Sequence, residues 1–265
     1  MIKLIATDMD GTLLTSEKEL PPDFDDTLDM LESKNVRFVI ASGRSYSALK
    51  VTFPNHIDRM EFICDNGAYI MIGGRLDKVS IIPRETVTRI ISECRKLDGV
   101  TPVLCAMNGT YFDSCIPGLY EEISRFYMNF SQVDDLLKVN DDVFKIAVCD
   151  AHDPINNSLP VLSGVFGGTL SLAASGPMWM DIMNSGINKG AALKEIQSRL
   201  GISYEETMAF GDYFNDSELL KNAFYSYAMA NAHPDMFGIA RYKADTNDNF
   251  GVTNAIRNFF SMNNE

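Results

Sequence analysis

Apolar and polar positions fall along this chain in blocks whose period switches between strand and helix. Residues 2–6 (IKLIA) form a short apolar run that reads as a buried strand and ends at Asp8-Met9-Asp10-Gly11-Thr12. Phe24, Leu28 and Leu31 then recur at helical spacing behind Pro21-Pro22-Asp23, and residues 36–41 (VRFVIA) predict a second buried strand ending at Ser42-Gly43-Arg44. Residues 62–64 predict a third strand, running into the turn Asp65-Asn66-Gly67. Residues 69–72 and 79–82, separated by Gly73-Gly74-Arg75, predict a β-hairpin. Strands alternating with helices imply right-handed βαβ units and a parallel sheet.

The middle of the chain has another character. The pattern predicts a helix over 85–97, a hairpin (102–107 with 110–113), a helix over 119–126, a strand over 144–149, a short helix and a closing hairpin (169–174 with 179–184). That is mixed α+β, without a Gly-rich phosphate loop. The first pattern resumes at Asn188-Lys189-Gly190, which opens a helix with Leu193, Ile196 and Leu200 on one face and Gly201 as its stop. A strand over 207–210 ending at Gly211-Asp212, a helix, a strand over 225–230 and a helix over 252–260 complete the chain. The fold class expected is therefore α/β: a doubly wound parallel-sheet core, residues 1–82 and 187–265, interrupted by an α+β domain, residues 83–186.

Composition narrows the partners. The 265 residues suffice for one large or two modest domains, and 46% hydrophobic with 22% charged residues is ordinary for a globular protein. Twenty-three basic against 36 acidic side chains leave a net charge of −13. Nucleic acid and anionic membranes need a basic surface, so neither is expected as a partner, and no obligate protein partner is implied. An anionic substrate must instead meet a local positive site. No apolar run approaches a membrane span, and the first residues lack signal-peptide architecture. Cys64, Cys94, Cys105, Cys115 and Cys149 include no C-x-x-C pair and read as free thiols in a reducing cytoplasm.

The turns carry the candidate chemistry. In an extended chain Asp8 and Asp10 point to one side, roughly 6.6 Å apart at about 3.3 Å per residue, leaving room for a divalent metal and a phosphoryl group. An Asx-rich turn is the plain alternative. Chance would place D-x-D-G-T in a chain of this length on the order of a few times in a thousand. Ligands of open α/β sheets bind beyond the carboxyl ends of the strands, so the tips bearing Asp8 and Asp10, Ser42-Gly43 and residues 212–216 should meet at one edge, joined by Lys189 from its helix start. Taken singly, Ser42-Gly43 is also readable as a strand-end turn, Lys189 as a solvated lysine, and Asp212 or Asp216 as helix-start carboxylates.

Together, D8-M-D-G-T-L-L, S42-G-R, N188-K-G and G211-D-Y-F-N-D216 resemble, in order and spacing, the haloacid-dehalogenase superfamily of phosphatases. The insert between the second and third motifs resembles the Cof-type branch with its type IIB α+β cap, as do Asp65-Asn66-Gly67-Ala68, residues 229–232 (MANA) and residues 244–246 with Gly251-Val252. The resemblance implies Asp8 as nucleophile, forming an aspartyl-phosphate, and Asp10 as general acid and then base. It implies that Ser42, the Gly43 amide, the Met9 backbone and Lys189 hold the phosphoryl group, with Asn215 orienting Lys189 or the phosphate. Mg²⁺ would be held by Asp8, the Asp10 carbonyl, Asp212 and Asp216, the last directly or through water. Ser42 stands where many relatives carry Thr, Met9 where Leu or Ile is common, and Tyr213-Phe214 where smaller residues are frequent. The implied activity is hydrolysis of small cytosolic phosphomonoesters, sugar phosphates foremost. A phosphomutase and a non-catalytic phosphometabolite-binding protein are the alternatives; a D-x-D glycosyltransferase would leave Ser42, Lys189 and Asp216 without a role. Trp179 with Met178, Met180 and Met183 reads as cap core before substrate pocket, Cys64 as a buried hydrophobe, and no histidine shows ligand spacing.

Overall fold

The computed structural model describes residues 1–114, 116, 118–127 and 130–262, which leaves Cys115 outside the described residues. In chain order the elements are β1 (Leu4–Thr7), α1 (Phe24–Ser33), β2 (Arg37–Ala41), α2 (Tyr46–Thr52), β3 (Glu61–Cys64), β4 (Tyr69–Ile72), β5 (Arg75–Val79), α3 (Arg84–Cys94), β6 (Val100–Ala106), β7 (Thr110–Phe112) and α4 (Leu119–Phe126). There follow β8 (Phe130–Gln132), β9 (Val143–Asp150), α5 (Ser158–Phe166), β10 (Leu170–Gly176), β11 (Trp179–Asn184), α6 (Lys189–Leu200), β12 (Thr207–Gly211), α7 (Ser217–Lys221), β13 (Tyr225–Ala228), β14 (Tyr242–Lys243) and α8 (Gly251–Met262). No described helix is long and apolar enough to cross a membrane.

The chain divides into two compact units. The first comprises residues 1–42, 54–77 and 188–265. Its sheet runs β14-β13-β12-β1-β2-β3-β4-β5, parallel from β14 to β3 and antiparallel between β3 and β4. β1 is fully buried, as expected for a strand covered on both faces. It pairs with β2 on one side (Thr7 with Ile40) and β12 on the other (Thr7 with Phe210), so the strand order reverses at β1. A crevice opens at such a reversal, beyond the carboxyl ends of the two strands.

The hairpin expected over 69–72 and 79–82 is displaced on its second arm. Gly73 and Gly74 both take positive φ (57° and 72°), a tight turn that lets β5 begin at once at Arg75. The apolar Ile82 instead donates its N–H to Val143 O (2.7 Å) and is buried in the core of the second unit.

That second unit comprises residues 43–53 and 78–187. Its sheet, β10-β11-β9-β6-β7-β8, is antiparallel except for the last pair. One face, with Leu104, Ile146, Val148, Met180 and Ile182, packs on Val87, Ile90, Leu162 and Phe166 of α3 and α5. Trp179, Met180 and Met183 are buried, and the Trp179 indole donates to Glu122 Oε1 (3.0 Å). Among the described cysteines, Cys64, Cys94, Cys105 and Cys149 are buried free thiols.

Candidate active site

Four strand ends of the first unit supply polar side chains. Asp8 follows β1 directly and extends its ladder, its N–H donating to Phe210 O (3.0 Å). Ser42 follows β2 and donates its N–H to Ile63 O (2.8 Å); Asp65 follows β3 and Asp212 follows β12. Lys189 opens α6, whose N-cap Asn188 accepts the Ala191 N–H at its side-chain oxygen (2.8 Å). Gly190 lets α6 press against α7, because a Cβ there would lie 2.3 Å from Glu218 O.

These elements bring Asp8, Lys189, Asp212 and Asp216 together. The Lys189 ammonium is fully buried and donates to Asp8 Oδ1 and Asp216 Oδ1, both at 2.6 Å. The other oxygen of Asp216 accepts the backbone N–H groups of Asp212 (3.1 Å) and Tyr213 (3.3 Å), which fixes the loop carrying Asp212. Asp212 Oδ1 accepts the Thr12 hydroxyl (3.0 Å). The turn after Asp8 closes on the Asp212 carboxylate: Gly11 takes φ +84°, and a Cβ there would fall 2.5 Å from Asp212 Oδ2. Only glycine fits both the conformation and the space.

Three carboxylates share this space with one ammonium, and ionisation shows the imbalance. Burial, then the charge of Asp216, hold the Asp8 carboxyl well above its ordinary value, with Lys189 opposing. Burial and Asp216 likewise push Asp212 up to about 7, against the Thr12 hydrogen bond. Burial alone would lower Lys189, but Asp216 and Asp8 outweigh it, and the ammonium is raised above its usual range. One oxygen from each of Asp8, Asp212 and Asp216 lies within 4.8 Å of the others. An under-neutralised set of hard oxygen donors, crossed by a glycine that leaves room, fits a small divalent cation.

The remaining predicted residues lie around this cluster. Asp10 is half-buried and accepts the Lys18 ammonium at Oδ1 (2.8 Å). Met9 buries its side chain completely and accepts the Leu14 N–H at its carbonyl (2.9 Å), so its backbone makes the turn. Asn215 donates to Asn66 Oδ1 (3.0 Å), and the Asn66 N–H donates to Ser42 O (3.0 Å), which links the second and fourth motifs. Asp65 and Asn66 take positive φ (49° and 52°), a conformation Asp and Asn tolerate. Gly43 belongs to the second unit by its packing. Tyr213 and Phe214 are half-buried, edge-to-face with each other at 5.1 Å. Thr12, Lys18, Asn66 and Asn231, whose side-chain amide donates to Gly11 O (2.8 Å), had no role assigned from the sequence. Thr12, Asn66 and Asn231 stand inside the quoted motifs, which was the available signal.

A doubly wound α/β unit with an inserted α+β unit, and an acidic cluster around one lysine at the switch point, has the frame of a capped α/β hydrolase. The chain belongs to the haloacid dehalogenase-like hydrolases, whose family model matches residues 5–256, and within them to the Cof-type phosphatase branch. It is 27% identical over 260 residues to the 5-amino-6-(5-phospho-D-ribitylamino)uracil phosphatase YbjI of Escherichia coli, covering 96% of this chain and 95% of that one. An HMP-PP phosphatase of Citrobacter koseri is 28% identical, covering 89% and 87%. A solved structure from Streptococcus mutans, SMU.1108c, superposes with a TM-score of 0.92 at 30% identity, over 98% of this chain and all of the other (100%).

Proposed function

We propose that the protein hydrolyses small phosphomonoesters in the cytoplasm, in a Mg²⁺-dependent reaction through an aspartyl-phosphate on Asp8, with sugar phosphates or related metabolites as substrates. The observation carrying this reading is the buried Asp8–Lys189–Asp216 arrangement with Asp212 alongside, at the point where the strand order reverses. The activities named for the relatives, one of them on a phosphorylated ribityl compound, support the substrate class. The buried free thiols of the four described cysteines support a reducing compartment.

Asp8, Asp212 and the Asp10 carbonyl are the residues we assign to Mg²⁺. Asp216, whose oxygens accept from Lys189 and from the Asp212 and Tyr213 N–H groups, would join them directly or through a water. The bound ion would supply positive charge against the phosphoryl oxygens and favour the ionised carboxylates. The chain's own groups carry the steps. The Asp8 carboxylate attacks phosphorus while the ester oxygen departs with the proton of Asp10, giving the acyl phosphate and the free alcohol. Asp10, now ionised, takes a proton from water, and the resulting attack on phosphorus returns Asp8 and releases phosphate. Lys189 holds phosphoryl oxygens from a helix start, where backbone N–H groups add to its charge. The Ser42 hydroxyl completes the cradle.

Release of phosphate from p-nitrophenyl phosphate, measured with Mg²⁺ and with EDTA, tests the reading. Wild type should be active only with metal, and Asp8→Asn should lose activity by about a thousandfold or more, the scale for a lost nucleophile. Release that survives the substitution would remove Asp8 from its role.

A further inference from the structure

One lysine of the first unit stands where local geometry calls for glycine. Thr15 and Glu19 close a turn: the Thr15 N–H donates to Glu19 O (3.0 Å), and the Lys18 N–H donates to Thr15 O (2.9 Å). A three-residue loop of this kind ends in a residue of left-handed conformation, for which glycine is the usual choice. Here that residue is Lys18, at φ +64°. Among the described residues, every other non-glycine at positive φ except Phe250 is Asn or Asp, which tolerate that region. Packing does not account for the lysine, because its side chain is exposed and borders a cavity of about 380 Å³ lined also by Asn231, Thr246 and Asp248. Stability does not account for it either: an exposed ion pair adds little, and a left-handed lysine loses some of what is added. An outlier of this kind invites a functional explanation.

Among the described residues the Lys18 ammonium has one acceptor, Asp10 Oδ1 at 2.8 Å. The turn that aims it is tethered separately. The Ser16 N–H and hydroxyl donate to the two oxygens of Asp248 (2.7 and 2.8 Å), and the Asn247 side-chain amide donates to Leu14 O (2.9 Å). All of these groups belong to the first unit. An ammonium carries donors only, so the Asp10 oxygen that it holds acts as an acceptor. The carboxyl proton then belongs to the other oxygen, and rotation of the carboxyl is restricted. A general acid has this requirement, because its proton must lie within hydrogen-bond reach of the departing oxygen.

We infer that Lys18 is a positioning residue for Asp10: it fixes which carboxyl oxygen presents the proton that passes to the ester oxygen as the phosphorus–oxygen bond breaks. This rests on the phosphatase reading above. The test compares phenyl phosphate with p-nitrophenyl phosphate, two esters of similar shape, in the presence of Mg²⁺. Phenolate is a strong base, its conjugate acid having a pKa of about 10 as in tyrosine, and needs the proton as it leaves. Nitrophenolate is a much weaker base and departs readily without one. Lys18→Gly suits the left-handed conformation and Lys18→Asn tolerates it, so both remove the ammonium and leave the turn in place. In each variant kcat/KM for phenyl phosphate should fall about tenfold further than kcat/KM for p-nitrophenyl phosphate, a part of the roughly 10²–10⁴-fold that acid catalysis supplies. The ratio of the two values does not depend on how much of the protein is folded, so a folding defect cannot imitate this result. A ratio equal to that of wild type, whether both rates hold or fall together, would overturn the proposal and spare the phosphatase reading. Wild type that hydrolyses neither ester would overturn both.

Discussion

The carboxylates around Lys189 make metal and proton competitors for the same atoms. Asp212 is raised from 3.8 to about 7, and Asp8 is raised as well. Between those two pH values the folded, metal-free protein binds more protons than the unfolded chain. Its stability from these groups is therefore full below about pH 4 and lost as pH rises through about 7. In EDTA, melting temperature should fall between about pH 5 and pH 8; with Mg²⁺, which binds the ionised form, the fall should shrink or reverse. Asp150, which accepts the N–H groups of His152 and Ser158 and is lowered despite burial, acts at the acid end and outside this window. A flat melting profile in EDTA over that range would show the cluster to be balanced without metal.

At the scale of elements, the contact of α6 with α7 sets where Lys189 starts. Alanine in place of Gly190 would gain roughly 0.5–1 kcal/mol of helix preference. Its Cβ, however, meets backbone, with Glu218 O at 2.3 Å and Glu218 C at 2.4 Å, and backbone does not yield as a flexible side chain would. Overpacking wins: Gly190→Ala should destabilise by about 1–3 kcal/mol, roughly 3–10 °C in a thermal melt, and lower phosphate release by displacing Lys189. An unchanged melt would mean that α7 moves aside freely. The elements legible in the sequence were those with unbroken apolar runs between turn residues, such as 36–41 and 207–210. α2 escaped notice because only Ala48 and Leu49 of its seven residues are buried, too few to set a period. β5 escaped because RLDKV buries none of its side chains completely. The acids and Lys189 were legible because each sits inside a short motif. Lys145 had no such signal: its partner, the Gly43 carbonyl, lies 102 residues away, and only the fold introduces it. In the sequence Lys145 reads as a polar break in an apolar strand.

Over the whole molecule, the described thiols are spread through both units and share one property, burial. Cys94 is pushed up to about 12 by its apolar surroundings, so almost none of it is thiolate near neutral pH. Cys64, Cys94, Cys105 and Cys149 should stay silent toward a thiol reagent in the native protein and react together in denaturant. Stepwise reaction would indicate that one unit opens on its own, because cooperative units unfold with separate free energies.

The central place of β1 has a consequence for synthesis. Its Thr7 lies against Ile40, reached early in translation, but also against Phe210, far along the chain. Ribosomes add about 5–20 residues per second, so β1 waits roughly 10–40 s with one edge unpaired. During that interval the inserted unit, whose segments are nearly contiguous, can complete its own sheet. A strand made well before its second partner is thus among the last of its sheet to be sealed, and an apolar edge left open that long is where a chaperone would act.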